Sequence, residues 1–174
     1  MRSAALLALA FGSAPVALAG KDPELVIRTD VLPGFTIMFV KADKTTSKIE
    51  TVAVPGSATR LQVEVNQGVV SKDVTIMVTR TTYPTAPADA KAFFDAVRDG
   101  AAGTTGKVTD EKDVKLAETE IPGREVTLDQ GTYRTKFRTF LDGKTMYQVL
   151  ITGPKADVTA GWSKKYLVSF APDK

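Results

Sequence analysis

Hydrophobic positions recur along this chain with two different periods, and the change from one to the other separates strand-like from helix-like segments. In Gly34 to Lys41, Phe35, Ile37 and Phe39 fall on one side, the two-residue period of a strand. Ile49 to Pro55 and Arg60 to Asn66 continue the pattern. The second places Leu61, Val63 and Val65 inward and Arg60, Gln62 and Glu64 outward. Asn66-Gln67-Gly68 reads as a turn. Asp73 to Tyr83 then sets Val74, Ile76 and Val78 on one face, among threonines that suit a β-surface.

After Pro84 and Pro87 the period lengthens. Ala90, Phe93, Phe94, Val97 and Ala101 form a helical stripe, and Lys91, Asp95, Arg98 and Asp99 take the opposite side. Pro87 and Asp89 suit its start, where a missing N–H costs nothing and a carboxylate meets the helix dipole. A break is expected near Gly100 or Gly103. Gly103 to Asp113 is charged and without periodicity, and is predicted to be the longest loop.

From Val114 the chain reads as a meander of three or four strands. Pro122-Gly123 suits a type II turn, with glycine supplying positive φ. Gln130-Gly131 closes the next hairpin. If it is a two-residue turn, Glu125 faces Lys136 and Thr127 faces Arg134, with Asp129 nearby. For the last hairpin, a two-residue loop at Asp142-Gly143 puts Arg134, Lys136 and Arg138 on the same face as Tyr147, Val149 and Ile151, mixing charge with core. A three-residue loop of Leu141, Asp142 and Gly143 instead groups Tyr133, Thr135 and Phe137 with them, and is the register predicted. Ala156 to Phe170 carries Val158, Trp162, Tyr166, Leu167 and Phe170 on one helical face, with Asp157 as a cap.

Residues 1–19 differ from all of this. Arg2, the apolar run Ala4 to Ala10 and the small-x-small Ala17-Leu18-Ala19 form the pattern of an export signal cleaved before Gly20 or Lys21. Gly12, Ser13 and Pro15 interrupt the run short of the about 20 apolar residues a membrane span needs. The expected division is a signal peptide at 1–19, an N-terminal lead-in at 20–33 and a single domain at 34–174. The sequence contains no cysteine, so neither a disulfide nor a thiol-linked lipid anchor is available. The expected location is periplasmic or extracellular.

Charge is nearly balanced, 23 basic against 20 acidic residues, which does not suggest a nucleic-acid binder. Histidine is absent, removing the commonest general base and transition-metal ligand and with them the usual serine, cysteine and metal hydrolases. Gly100 to Val108, GAAGTTGKV, departs from a phosphate loop at Ala101 and Val108. Asp110 to Asp113 lacks the ligand alternation of a calcium loop. Glu118, Glu120 and Glu125 are near in sequence, but nothing places two of them in a cleft for glycoside hydrolysis. No cofactor or metal is expected.

Two features remain. Arg134, Lys136 and Arg138 form a basic row on one strand face, either a solvated face paired to Glu125 and Asp129 or a grip for polyanions or small anions. Arg124 shares parity with Val126 and Leu128 and so points inward. Glu120, or Glu118, across the Pro122-Gly123 turn is its expected structural partner.

A set of short motifs adds to this reading: Gly34-Phe-x-Ile-x-Phe39, Thr81-Thr-Tyr83 before a helix containing Ala92-Phe-Phe-Asp95, then Pro122-Gly-Arg-Glu125, Tyr147-Gln-Val-Leu150 and Gly153-Pro-Lys-Ala-Asp-Val158 through Ser169-Phe170. From Leu32 to Phe170 the chain resembles exported bacterial proteins of unassigned role grouped with the PsbP-like superfamily. The resemblance implies an α+β fold, an α/β/α sandwich of a mostly antiparallel sheet of six or seven strands with two main helices. Relatives in that superfamily include an extrinsic subunit of the photosynthetic oxygen-evolving complex and a nuclear-transport factor that binds Ran, so it implies a binding module. It transfers no functional residue. The expectation is an exported, non-enzymatic domain that binds or supports a protein or envelope component, with small-molecule or polyanion binding on the basic row as the alternative.

Overall fold

The computed structural model describes residues 22–53 and 59–173, so the expected signal peptide lies outside the described residues. The first predicted strand is β2 (Phe35–Phe39), but it is not the first in the chain. β1 (Val26–Leu32) lies in the segment expected to be a lead-in and pairs antiparallel with β2. The two-residue β10 (Ala171–Pro172) pairs on the other side of β2, completing a small three-stranded sheet.

The main sheet has seven antiparallel strands. In chain order they are β3 (Thr45–Ala53), β4 (Arg60–Ser71), β5 (Val74–Thr82), β6 (Lys107–Lys115), β7 (Pro122–Gln130), β8 (Tyr133–Asp142) and β9 (Thr145–Pro154). Their spatial order is β3-β4-β5-β9-β8-β7-β6. The α+β sandwich is therefore as expected, with seven strands, but several turns fall elsewhere.

Asn66-Gln67-Gly68 is strand, not turn: β4 runs through it and the chain reverses at Lys72-Asp73. A Cβ on Gly68 would lie 2.5 Å from Val40 Cγ2, so glycine is there to admit the small sheet. Pro122-Gly123 is also strand. Gly123 is not among the glycines with positive φ, and a Cβ on it would lie 2.4 Å from Phe140 Cδ1 and 2.6 Å from the Thr139 carbonyl. The turn before β7 occupies the residues after Leu116, with Glu118 at φ 60°.

The predicted long loop at Gly103 to Asp113 is largely β6, the edge strand. Its residues are polar on both sides because each face meets charged groups, which erases the hydrophobic alternation that would mark it.

One face of the sheet is covered by α1 (Ala90–Ala102), capped as expected at Asp89, whose carboxylate accepts from Ala92 N at 3.0 Å. Phe93 and Phe94 are buried beneath it, and Val97 and Ala101 pack against Val63, Val65, Met77, Val126 and Leu128. The other face carries the small sheet and two short helices, α2 (Lys155–Thr159) and α3 (Gly161–Val168). These replace the single C-terminal helix expected. The chain is extended at Ala160 (ψ 155°), and Asp157 lies inside α2 instead of capping it. The stripe itself is right: Val158, Trp162, Tyr166, Leu167 and Phe170 are all buried in the core with Ile76, Val149 and Ile151. Tyr166, fully buried, donates its hydroxyl to the Met77 carbonyl at 2.9 Å, tying α3 to the middle of the sheet.

Candidate functional site

The basic row stands on the face beneath α2 and α3, and two hairpin registers put it there. The β7–β8 turn is Gly131-Thr132, so Gln130 pairs with Tyr133, Asp129 with Arg134, Thr127 with Lys136 and Glu125 with Arg138. This differs by two residues from the predicted register. An even shift keeps every side chain on its face, so the charge complement survives. The β8–β9 turn is Gly143-Lys144, with Gly143 at φ 56°, which reverses the parity predicted. Lys136 lies opposite Ile151 and Arg138 opposite Val149. Charge and core do share this face. A seven-stranded sheet is wide enough for the small sheet and helices to bury its β5–β9 part, while the β8–β6 part meets its own counter-ions.

Glu125 is the centre of that part. Its side chain is only 4% exposed and is held by three cations: Arg138 Nε at 2.6 Å, Lys136 Nζ at 2.9 Å and Lys112 Nζ, from β6, at 3.1 Å. Burial alone would push its carboxyl up. Hydrogen bonds from Lys136 and Arg138, then the nearby charges, outweigh that and hold it at about 2. Arg134 is engaged separately: Nε and Nη2 donate to the two oxygens of Asp129 at 2.6 and 3.1 Å. Lys155 at the start of α2 adds a contact at 2.9 Å, and together they lower the Asp129 carboxyl.

Between this charged floor and the helices lies a cleft of about 480 Å³. Lys112, Arg134, Lys136, Arg138 and Lys164 line it, against two acidic groups, Asp110 and Glu125. Val158, Ala160 and Leu167 form an apolar wall, and Ser163 is buried at the start of α3, its hydroxyl donating to the Val158 and Ala160 carbonyls. The basic row is thus neither an open solvated face nor a bare cationic stripe. It is the half-buried floor of a cleft.

Sequence reasoning found the row and its counter-charges but missed Lys112, Lys155 and Lys164. Lys112 lies in β6, whose lack of apolar periodicity predicts a loop. The alternation of Asp110-Glu111-Lys112-Asp113 was the available signal, since Asp110 and Lys112 face the cleft while Glu111 and Asp113 point to the other side.

Arg124 is buried, as expected, but its partners are not. Nη1 lies 2.6 Å from Asp95 Oδ1 of α1 and 2.9 Å from Glu111 Oε1, and Nε lies 3.3 Å from Asp113 Oδ1. The guanidinium also sits 5.4 Å from the Phe94 ring centre. The expected Arg124–Glu120 pair is therefore replaced: Glu120 is exposed in the loop and pairs with Lys115. With Pro122-Gly123 in the strand instead of a turn, Glu120 does not fold back onto Arg124. The acidic residues considered for calcium serve Arg124 and the cleft, and no group of three or more His, Cys, Asp or Glu able to hold a metal occurs among the described residues.

Comparison with known proteins adds the fold's relationship. No protein-family model matches the chain, and no curated protein does. Among solved structures it is similar to the solution structure of cyanobacterial PsbP (CyanoP) from Synechocystis sp. PCC 6803. The TM-score is 0.53 at 12% identity, over 92% of this chain and 98% of that one. The fold is PsbP-like. At that identity the likeness extends to architecture alone. No helix among the described residues is long and apolar enough to cross a membrane.

Proposed function

We propose that this chain is an exported, non-enzymatic binding domain that attaches to an anionic component of the cell envelope through the cleft beneath α2 and α3. The observation that supports this reading is the cleft itself, of about 480 Å³, lined by five cationic side chains and by only two acidic ones, Asp110 and Glu125, with Arg134 held from below by Asp129. A volume of that order suits one small molecule or one head group, and strands on the floor hold the cations without an ordering cost at binding. The segment 1–19 supplies the route out of the cytoplasm.

The test is co-sedimentation of the mature chain with isolated envelope fragments at low and high salt, alongside a K112Q/K164Q double variant. Both lysines are exposed, and without Lys112 the Glu125 carboxylate keeps Lys136 and Arg138, so the variant retains the fold. The expected result is binding that salt releases and that the double variant loses. Equal, salt-independent binding by both proteins would remove the cleft as the contact. Processing of the full chain to a start at Gly20 or Lys21, read by intact mass, checks export.

A further inference from the structure

Glu125 occupies the position where an incoming anion would be strongest bound. Its carboxylate takes the inward-facing hydrogen bonds of Lys136 and Arg138 and the reach of Lys112, while remaining almost wholly buried. Lys136 and Arg138 are themselves a quarter exposed or less, so little of their charge reaches solvent except through the cleft. Val158, Ala160 and Leu167 line the same cleft as this cluster.

Resting on the cleft as the binding site, we infer that Glu125 is a built-in stand-in for the ligand's anionic group, and that the ligand is a compact oxyanion of the phosphate class carried on a small uncharged body. The oxyanion takes over donors of Lys112 and Lys136 that the carboxylate holds, and the body lies along the wall where Ala160 is partly exposed between the buried Val158 and Leu167. A tetrahedral oxyanion can accept from several donors at once, as a carboxylate held by three cations already does. Glu125 then sets the affinity: its negative charge opposes any incoming anion and keeps the site weak for adventitious ones.

A ligand oxygen on Lys136 Nζ lies within about 6 Å of the Glu125 carboxylate. At an effective dielectric of about 40, between that of a surface ion pair and that of bulk water, the repulsion is about 1.4 kcal/mol, roughly tenfold in affinity. Inorganic phosphate, glycerol phosphate and a heparin-type chain are the probes, titrated calorimetrically into the mature chain and its E125Q and K136Q variants. The expected result is phosphate binding about tenfold tighter in E125Q, at least tenfold weaker in K136Q, and glycerol phosphate bound no more weakly than phosphate. Unchanged or weaker phosphate binding in E125Q overturns the stand-in role, and preference for the heparin-type chain overturns the compact ligand. Either can occur while envelope binding persists, which keeps this inference separable from the cleft's role. Should E125Q fold poorly, the Glu125 carboxyl carbon resonance in the unaltered protein is expected to move as phosphate saturates; a stationary resonance overturns the inference equally.

Discussion

Arg124 of β7 and Asp95 of α1 meet at 2.6 Å across the gap between sheet and helix, 29 residues apart in the chain. Asp95 is held in turn by Lys91 one turn earlier, and both cations keep its carboxyl below the usual range. Arg124 also pairs with Glu111 and Asp113, so removing it takes a shared cation from three carboxylates, of which Asp95 and Glu111 keep Arg98 and the exposed Asp113 keeps none of these partners. Arg124→Met, which keeps most of the packing stem, is expected to cost about 2 kcal/mol in urea unfolding, because the carboxylates it leaves are partly exposed and retain Arg98. Asp95→Asn leaves Arg124 with Glu111 and is expected to cost only about 1 kcal/mol. Equal losses in the two variants would show that the network has no centre at Arg124.

Gly123→Ala tests why glycine stands at that position. In a type II turn the cost would come from positive φ. In the observed strand it comes from the Phe140 ring and the Thr139 carbonyl, within 2.4 and 2.6 Å of the added Cβ. The ring can shift but the β8 backbone cannot without losing pairing, so a loss of about 2 kcal/mol is expected, at the scale of overpacking. Gly123→Ala combined with Phe140→Leu should recover part of it if the ring is the main obstacle. A double variant no more stable than Gly123→Ala would place the clash at the carbonyl.

The two glycines misread as turns share a physical reason. At Gly68 and Gly123 the absent side chain makes room for another layer or strand, and a single sequence cannot separate that from a turn. Elements that bury one face against the core were legible: the Phe35-Ile37-Phe39 alternation, the stripe of α1, and the buried positions of α2 and α3. β6 was not, since its two faces meet Arg124 and the cleft and neither is apolar. The basic row was legible because an even slip in register preserves faces, whereas the helices that roof it come from a segment whose path over the sheet no local pattern dictates. The partners of Arg124 were hidden for the same reason: a neighbour in sequence was assumed where a neighbour in space was required.

Glu125 gives the fold an acid sensitivity whose sign is fixed by its environment. The carboxyl is held at about 2 when folded, against 4.5 ordinarily, so its ion pairs stabilise fully above about pH 5 and are lost as the pH falls toward 2. With allowance for the exposure of Lys112, the part lost between pH 7 and pH 3 is about 1 to 2 kcal/mol. Urea midpoints at the two pH values check it: E125Q is expected to be less stable than the unaltered chain at pH 7 and to lose correspondingly less on acidification. The other carboxyls titrate in both proteins and cancel. Identical losses would mean that the three cations do not hold Glu125 as described.

Tyr166 provides a last test, on the joint that carries the roof of the cleft. Its hydroxyl lies 2.9 Å from the Met77 carbonyl and 3.3 Å from that of Leu150, residues paired across β5 and β9. Burial raises the phenol well above its ordinary range, so it remains a donor throughout the neutral and mildly alkaline region. Tyr166→Phe retains the ring in its contacts with Phe39 but leaves two buried carbonyls without this donor, at an expected cost of about 1 to 2 kcal/mol. Trp162, the only tryptophan, lies one turn earlier on α3 and reports unfolding by its fluorescence. If the hydroxyl anchors the helix, hydrogen exchange in α3 should accelerate in the variant more than in α1. Uniform acceleration would show that it contributes to global stability without holding the roof in place.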